Sequence, residues 1–249
     1  MTNEEKFTFD LEGYLIIKNV LTPDEVAEMN EIADRVFPRE DDKTGTHRTS
    51  RVSLWGDPFK RLIDQPTVLP YLVELLGPYV RLDHDYCIFM MEGDQGGRLH
   101  GGPDVVGDHW YKYRDAVMRN GLTVATYFLS DAAEGDGGFA CIPGSHKSNL
   151  LKNLPQAVRS FECPAHYVVQ PAVEAGDVLI FTEALVHGTM TWRSKHERRS
   201  LLYKYSPGHS AWSNNYYDLS QFGELTEQQK RVLMPPSIGR RPPVMERES

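Results

Sequence analysis

The chain has 249 residues, 40% of them apolar and 25% charged, with a formal net charge of −8. That balance fits a single globular domain and argues against broad affinity for nucleic-acid polymers or anionic membranes. Cys87, Cys141 and Cys163 are widely spaced with no CxxC, so neither a disulfide framework nor a zinc knot is expected. The polar start MTNEEKFTFD does not read as a signal peptide, and no apolar run reaches the about 18 residues that would span a bilayer. A reduced, cytoplasmic setting is the expectation.

In chain order, GYLIIKNV (13–20) predicts a short strand. Thr22, Pro23 and Glu25 then form an N-cap, a first helical position and a capping box. Val26, Met29, Ile32, Ala33 and Phe37 recur at helical spacing, which predicts an amphipathic helix packed on the core. Residues 40–61 are polar and read as irregular, and a second helix is expected over 66–76. VRLDHDYCIFMME (80–92) alternates, placing Leu82, His84, Tyr86, Ile88 and Met90 on one face of a long strand. Strands are expected in 122–131, within 135–147, twice in 166–189 about a Gly-Asp turn, and in 198–207. Strands joined by short turns predict a sandwich or barrel. The helices of 1–80 buttress a β core over 80–210, with no domain boundary, and the tail 235–249 is expected on the surface or mobile.

Nine histidines are present. His100 lies in RLHGGPD. His187 follows the apolar strand DVLIF in FTEALVHGTMTW, and Arg198 opens RRSLLYKYSPG. Between them stands GDGGFACIPGSHK. A mononuclear iron site on a β scaffold takes two imidazoles, usually a carboxylate, and open positions for oxygen and co-substrate. A histidine and a carboxylate two residues apart on a strand share a face. An arginine further on can hold a carboxylate through paired hydrogen bonds.

These segments, with GYLIIKNVLTPDEVAEMN near the start, resemble the phytanoyl-CoA dioxygenase family of Fe(II)/2-oxoglutarate enzymes over roughly residues 8–210. The resemblance implies a mainly β fold with flanking helices (α+β), a cupin-like double-stranded β-helix or jelly roll. It implies Fe(II), 2-oxoglutarate and O2 as cofactors, His100 and His187 on the iron, and Arg198 on 2-oxoglutarate with Arg199 as the one-residue register alternative. Thr126 and Trp192 are candidates for the 2-oxoglutarate pocket. His109 competes with His100 as a ligand but suits substrate contact better, in a stretch read as a loop over the site (101–121) that could close as a lid.

The departure from the family pattern is Gly102. The usual motif is His-x-Asp, and this chain has His-x-Gly. Iron lacking that carboxylate has room for chloride, and a substrate radical can then take up chlorine instead of hydroxyl. Halogenases of this family carry the same substitution, so the expected activity is halogenation of a free small molecule. The nucleotide halogenases of nucleoside-antibiotic pathways are the nearest likeness, which makes the 2′ position of 2′-deoxyadenosine monophosphate the specific expectation. In the alternative, Asp104, Asp108 or the more distant Glu183 completes the metal site and the protein is a hydroxylase. A third reading is a jelly-roll module that binds without turnover. A phosphate is expected on THRTSR (46–51) through His47, Arg48 and Arg51, and the aromatics of HWYKY, Tyr111 among them, suit a base beside His109.

Overall fold

The computed structural model describes residues 1–38, 46–103 and 107–245. Helix α1 (Asn3–Glu12) is closed at its start by the Thr2–Glu5 capping box and at its end by Gly13 in the left-handed region. Its low amphipathicity explains why the sequence pattern did not announce it. Strand β1 (Tyr14–Ile17) leads to α2 (Pro23–Val36), where Thr22 and Glu25 form the expected capping box and Val26, Met29 and Ala33 are buried.

The polar stretch after α2 is more ordered than its composition suggests. It holds β2 (His47–Ser50) and the one-turn helix α3 (Asp57–Lys60). The pairing of β2 with β3 (Arg81–Met90) supplies the order that local propensity does not. Helix α4 (Leu69–Leu76) is shorter than the predicted 66–76 because its first turn breaks around Pro66 and Thr67. A hairpin, β4 (Tyr111–Arg114) and β5 (Val117–Asn120), is followed by β6 (Thr123–Phe128) and β7 (Gly138–Cys141). Then come the short α5 (Gln156–Arg159), β8 (Val178–Thr182), β9 (His187–Met190), β10 (Arg198–Ser206) and α6 (Glu227–Val232). Of the two strands expected in 166–189, the first is reduced to single bridges at Val169 and Val173.

The major sheet is six-stranded and antiparallel, in the order β1-β8-β6-β10-β3-β2. Strands β7 and β9 pair separately, and His100 bridges to β9 at His187. Ring contact between Phe139 and Phe181, 5.0 Å apart, packs this small sheet on the inner face of the large one. The result is the jelly-roll α+β fold. One apolar cluster (Phe9, Met29, Leu62, Leu75, Phe89, Tyr203) joins the helices to the outer face of the major sheet, and a second (Met90, Phe128, Leu179, Phe181, Trp192) lies between the sheets.

Strand β3 departs from simple alternation. Its register with β10 shifts so that Lys204 faces His84 and Tyr205 faces Leu82, leaving Asp83 as the extra residue of a bulge. Leu82 therefore joins Cys87 and Phe89 in the outer cluster, while Tyr86 and Met90 face inward. Asp83 takes the backbone N–H groups of Trp212 and Ser213 (both 2.9 Å) and pairs with Arg81 at 2.6 Å. The bulge thus anchors the segment after β10 across the sheet. The described part of the tail is held too, since the Arg241 guanidinium donates to the carbonyls of Tyr79, Arg231, Met234 and Pro235. Among the described residues, no helix is long and apolar enough to cross a membrane.

Candidate metal and co-substrate site

His100 and His187 face each other across the pairing of segment 96–100 with β9. They exchange both backbone hydrogen bonds (2.8 and 2.9 Å), and their ring centroids lie 4.4 Å apart. In each ring Nδ1 lies against the carbonyl two residues earlier, Arg98 O at 2.9 Å and Leu185 O at 2.8 Å. A carbonyl only accepts, so Nδ1 carries the proton and Nε2 keeps its lone pair for a cation. Gly101 makes this approach possible. A Cβ there would stand 2.6 Å from Leu185 O and 2.8 Å from Glu183 O, and its φ of +82° disfavours side chains.

Glu183 is the third member. Ligand atoms of His100, Glu183 and His187 all lie within 4.8 Å of one another, a two-imidazole, one-carboxylate donor set that suits iron(II). Glu183 Oε2 stands 3.8 Å from His187 Nε2 and 3.7 Å from His109 Nε2, while Oε1 accepts from Lys204 Nζ at 2.5 Å. Burial opposes the Glu183 charge, but Lys204 and the imidazoles outweigh it and hold the carboxyl well below its usual range. Burial pushes the His187 imidazole down to about 4, so it is neutral at physiological pH, as a ligand must be.

Gly102 is buried with φ +114°. The segment leaves extended geometry there, so the rule that residues two apart share a strand face does not extend from His100 to position 102. Asp104 lies outside the described residues. Asp108 is occupied elsewhere, accepting from Ser206 Oγ (3.0 Å) and Ser210 Oγ (2.7 Å).

A cavity of about 280 Å³ runs from the imidazoles to Arg198, and Tyr86, Thr126, Phe139, Phe181, Leu202 and Lys204 line it. The Arg198 guanidinium is fully buried. Its contacts are the Met90 sulfur at 3.8 Å and nothing at Nε. Burial lowers it to about 10, so it is still a cation at neutral pH, and no carboxylate pairs with it among the described residues. Buried charges of this kind need an anion. Thr126 Oγ1 is buried, lines the cavity and has no partner. Arg199, on the opposite face, is spent on Glu197, Asp34 and Asn30. The strand's alternation thus separates the two registers, with Arg198 inward.

The other candidate residues divide between this site and other places. Trp192 packs in the core with its Nε1–H on His196 O (2.7 Å) and is not on the cavity wall. Tyr111 sits on β4 with its hydroxyl on Asp10 of α1 and its ring against His146, away from the imidazole pair. The stretch 111–120 read as a loop is this hairpin, whose turn residues Asp115 and Ala116 both have positive φ. His109 is buried and stacked on Trp212 (5.2 Å, 16°), and neither ring nitrogen makes a hydrogen bond among the described residues. Arg48 lines the cavity and lies over the Tyr86 ring at 3.8 Å. Its neighbour His47 is on the other face of β2. Arg51 binds Asn215 (2.8 Å) and Gln221 (3.1 Å) and lines a separate cavity with His84 and Trp212.

Sequence reasoning missed Lys204. The signal was available, because 198, 200, 202 and 204 share one strand face and Lys204 is a charge on a face that Arg198 marks as inward.

A fold and site of this kind define an Fe(II)/2-oxoglutarate oxygenase-type protein. The family profile described as phytanoyl-CoA dioxygenase (PhyH) matches residues 9–200, and the chain belongs to that family. Among solved structures it is similar to HygX from Streptomyces hygroscopicus. The form with nickel, 2-oxoglutarate and hygromycin B bound is 25% identical with a TM-score of 0.74, covering 88% of this chain and 92% of that one. The form with iron bound is likewise 25% identical, with a TM-score of 0.73 and coverage of 88% and 91%. The carbocyclase SnoK from nogalamycin biosynthesis is 17% identical with a TM-score of 0.66 over 98% and 96% of the two chains, a likeness of fold. No functionally curated protein matches the sequence significantly.

Proposed function

We propose that the chain is an Fe(II)/2-oxoglutarate-dependent oxygenase that inserts oxygen into an aliphatic C–H bond of a small polar molecule. The overall change is R–H + O2 + 2-oxoglutarate → R–OH + succinate + CO2. The observation that carries this reading is the Glu183 carboxylate beside the two imidazoles, all donor atoms within 4.8 Å. His100, His187 and Glu183 would hold the iron, which supplies oxygen activation. The chain's own residues do the rest. Arg198 binds the far carboxylate of 2-oxoglutarate with two N–H groups, and Thr126 donates to the same co-substrate. Phe139, Phe181 and Leu202 exclude water around the reacting centre. His109 stands beside Glu183, its Nε2 3.7 Å from Oε2, and is stacked on Trp212. The small-molecule class is supported by the size of the cavity and by the hygromycin B bound to HygX.

A second reading is halogenation, with chloride on the iron and the 2′ carbon of 2′-deoxyadenosine monophosphate as target. Gly102 favours it, since a backbone at φ +114° accepts no aspartate without strain. Arg48 at the cavity mouth suits a phosphate, while Arg51 is already occupied.

One incubation separates the readings. Protein, Fe(II), 2-oxoglutarate, O2, chloride and a panel of nucleotides and polyhydroxylated molecules are combined, and succinate and product mass are followed. Gain of one oxygen supports the first reading. A chlorine isotope pattern supports the second and overturns the first. No succinate with any molecule of the panel counts against both.

A further inference from the structure

We infer that Lys204 is a positioning residue for the metal-binding carboxylate: it occupies one oxygen of Glu183 so that only the other is left to a cation. This rests on the reading of Glu183 as a ligand. Lys204 Nζ lies 2.5 Å from Oε1, while Oε2 is the oxygen turned toward the His187 and His109 nitrogens at 3.8 and 3.7 Å. Both partners are buried, 12% and 4% exposed at their side chains, so neither charge is satisfied by solvent. Beyond Glu183, the Lys204 ammonium lies over the Tyr86 ring at 5.5 Å. It sits on the inward face of β10, the face that carries Arg198, and it lines the same cavity.

The consequence lies in the count of open positions. A carboxylate binds a cation through one oxygen or both. An octahedral ion that gives one position each to His100, His187 and a single carboxylate oxygen keeps the remainder for co-substrate and O2. If the second oxygen also binds, one of those positions is lost. Strand β10 would therefore serve the co-substrate twice, by anchoring its far carboxylate at Arg198 and by keeping its chelation site open through Lys204.

The test uses Co(II), a redox-inert stand-in, with full-length protein under anaerobic conditions. Co(II) affinity, the visible Co(II) spectrum and the 2-oxoglutarate affinity of the Co(II)-loaded protein are measured. Lys204→Met is expected to weaken Co(II) by about 10–100-fold, as loss of a ligand's hydrogen-bonding partner does, to shift the spectrum toward a different coordination, and, at saturating Co(II), to weaken 2-oxoglutarate severalfold or more. Lys204→Arg restores the affinity, and Lys204→Gln carries the test if the methionine variant does not fold. In a Glu183→Gln background Lys204→Met adds no further loss of 2-oxoglutarate. The inference is overturned if Lys204→Met leaves 2-oxoglutarate affinity unchanged. It is equally overturned if the full loss persists in the Glu183→Gln background, because Lys204 would then act on the co-substrate itself. The underlying reading fails separately, if Glu183→Gln leaves Co(II) affinity unchanged.

Discussion

Glu183 and His187 are four residues apart on no helix, yet Oε2 of one lies 3.8 Å from Nε2 of the other. The tight turn between β8 and β9 folds back on itself, with Leu185 N–H on Thr182 O at 2.8 Å, and aims both side chains inward. A carboxylate thus comes from the second histidine's turn instead of from the residues after the first. Changes to hydrogen-bonding partners of metal ligands alone cost about 10–100-fold in affinity. Glu183→Gln, which removes the ligand charge itself, is expected to weaken Ni(II) or Co(II) at least that much in a calorimetric titration. Unchanged affinity would remove Glu183 from the site.

Arg198 is a buried cation with no carboxylate partner among the described residues, and in the proposed function 2-oxoglutarate is its counterion. Arg198→Gln is expected to weaken 2-oxoglutarate by about 2 kcal/mol, roughly thirtyfold, the scale of a lost charge-assisted hydrogen bond. Gly138→Ala should act in the same direction without touching the charge. A Cβ there would stand 2.6 Å from Arg198 Nε, on a backbone with φ +79°. Both effects are read as KM for 2-oxoglutarate. An alanine variant with wild-type KM would mean that Arg198 is free to move.

Gly102→Asp tests whether the vacant motif position can be refilled. With φ +114° the backbone carries an aspartate only under strain of about 1–3 kcal/mol. The variant is expected to be less stable on thermal unfolding and not to restore metal binding to Glu183→Gln. Restoration would show that position 102 reaches the metal after all.

Much of this architecture was legible in the sequence. The capping box of α2, the strand of β10 and the tight turn at Pro143 and Gly144 follow from local chemistry and alternation, while the choice between Arg198 and Arg199 as the inward residue stays open in the sequence. What escaped reading is what tertiary contacts decide. Strand β2 exists because β3 offers it a partner, and the bulge at Asp83 moves Leu82 to the other face. Tyr111 looked like substrate chemistry because HWYKY is aromatic and polar. The β4–β5 hairpin carries it instead to Asp10, a contact 101 residues apart in sequence. Glu183 was undervalued because spacing was judged along a strand, whereas the turn after β8 sets its direction.

The acid limb of stability has an assignable source away from the metal. His146 is fully buried, with Nε2 3.1 Å from Asp10 O, and burial together with Lys147 lowers it to about 4. The unfolded chain protonates this side chain near pH 6.5, and the folded one does not until about 4. The unfolded state therefore binds the extra proton across that window. Stability is full above about 6.5 and falls with pH down to about 4, by an amount on the order of 3 kcal/mol. His146→Gln should flatten the slope of Tm against pH in that window. An unaltered slope would assign the acid limb to other groups.

The central claim is that a two-histidine, one-glutamate set holds the iron. The most direct measurement is anomalous diffraction at the iron edge from crystals grown anaerobically with Fe(II), 2-oxoglutarate and chloride. The account predicts a peak bonded to Nε2 of His100, Nε2 of His187 and Oε2 of Glu183, with 2-oxoglutarate reaching Arg198. A peak with neither Glu183 oxygen bonded to it and a halide in the carboxylate's place would contradict it.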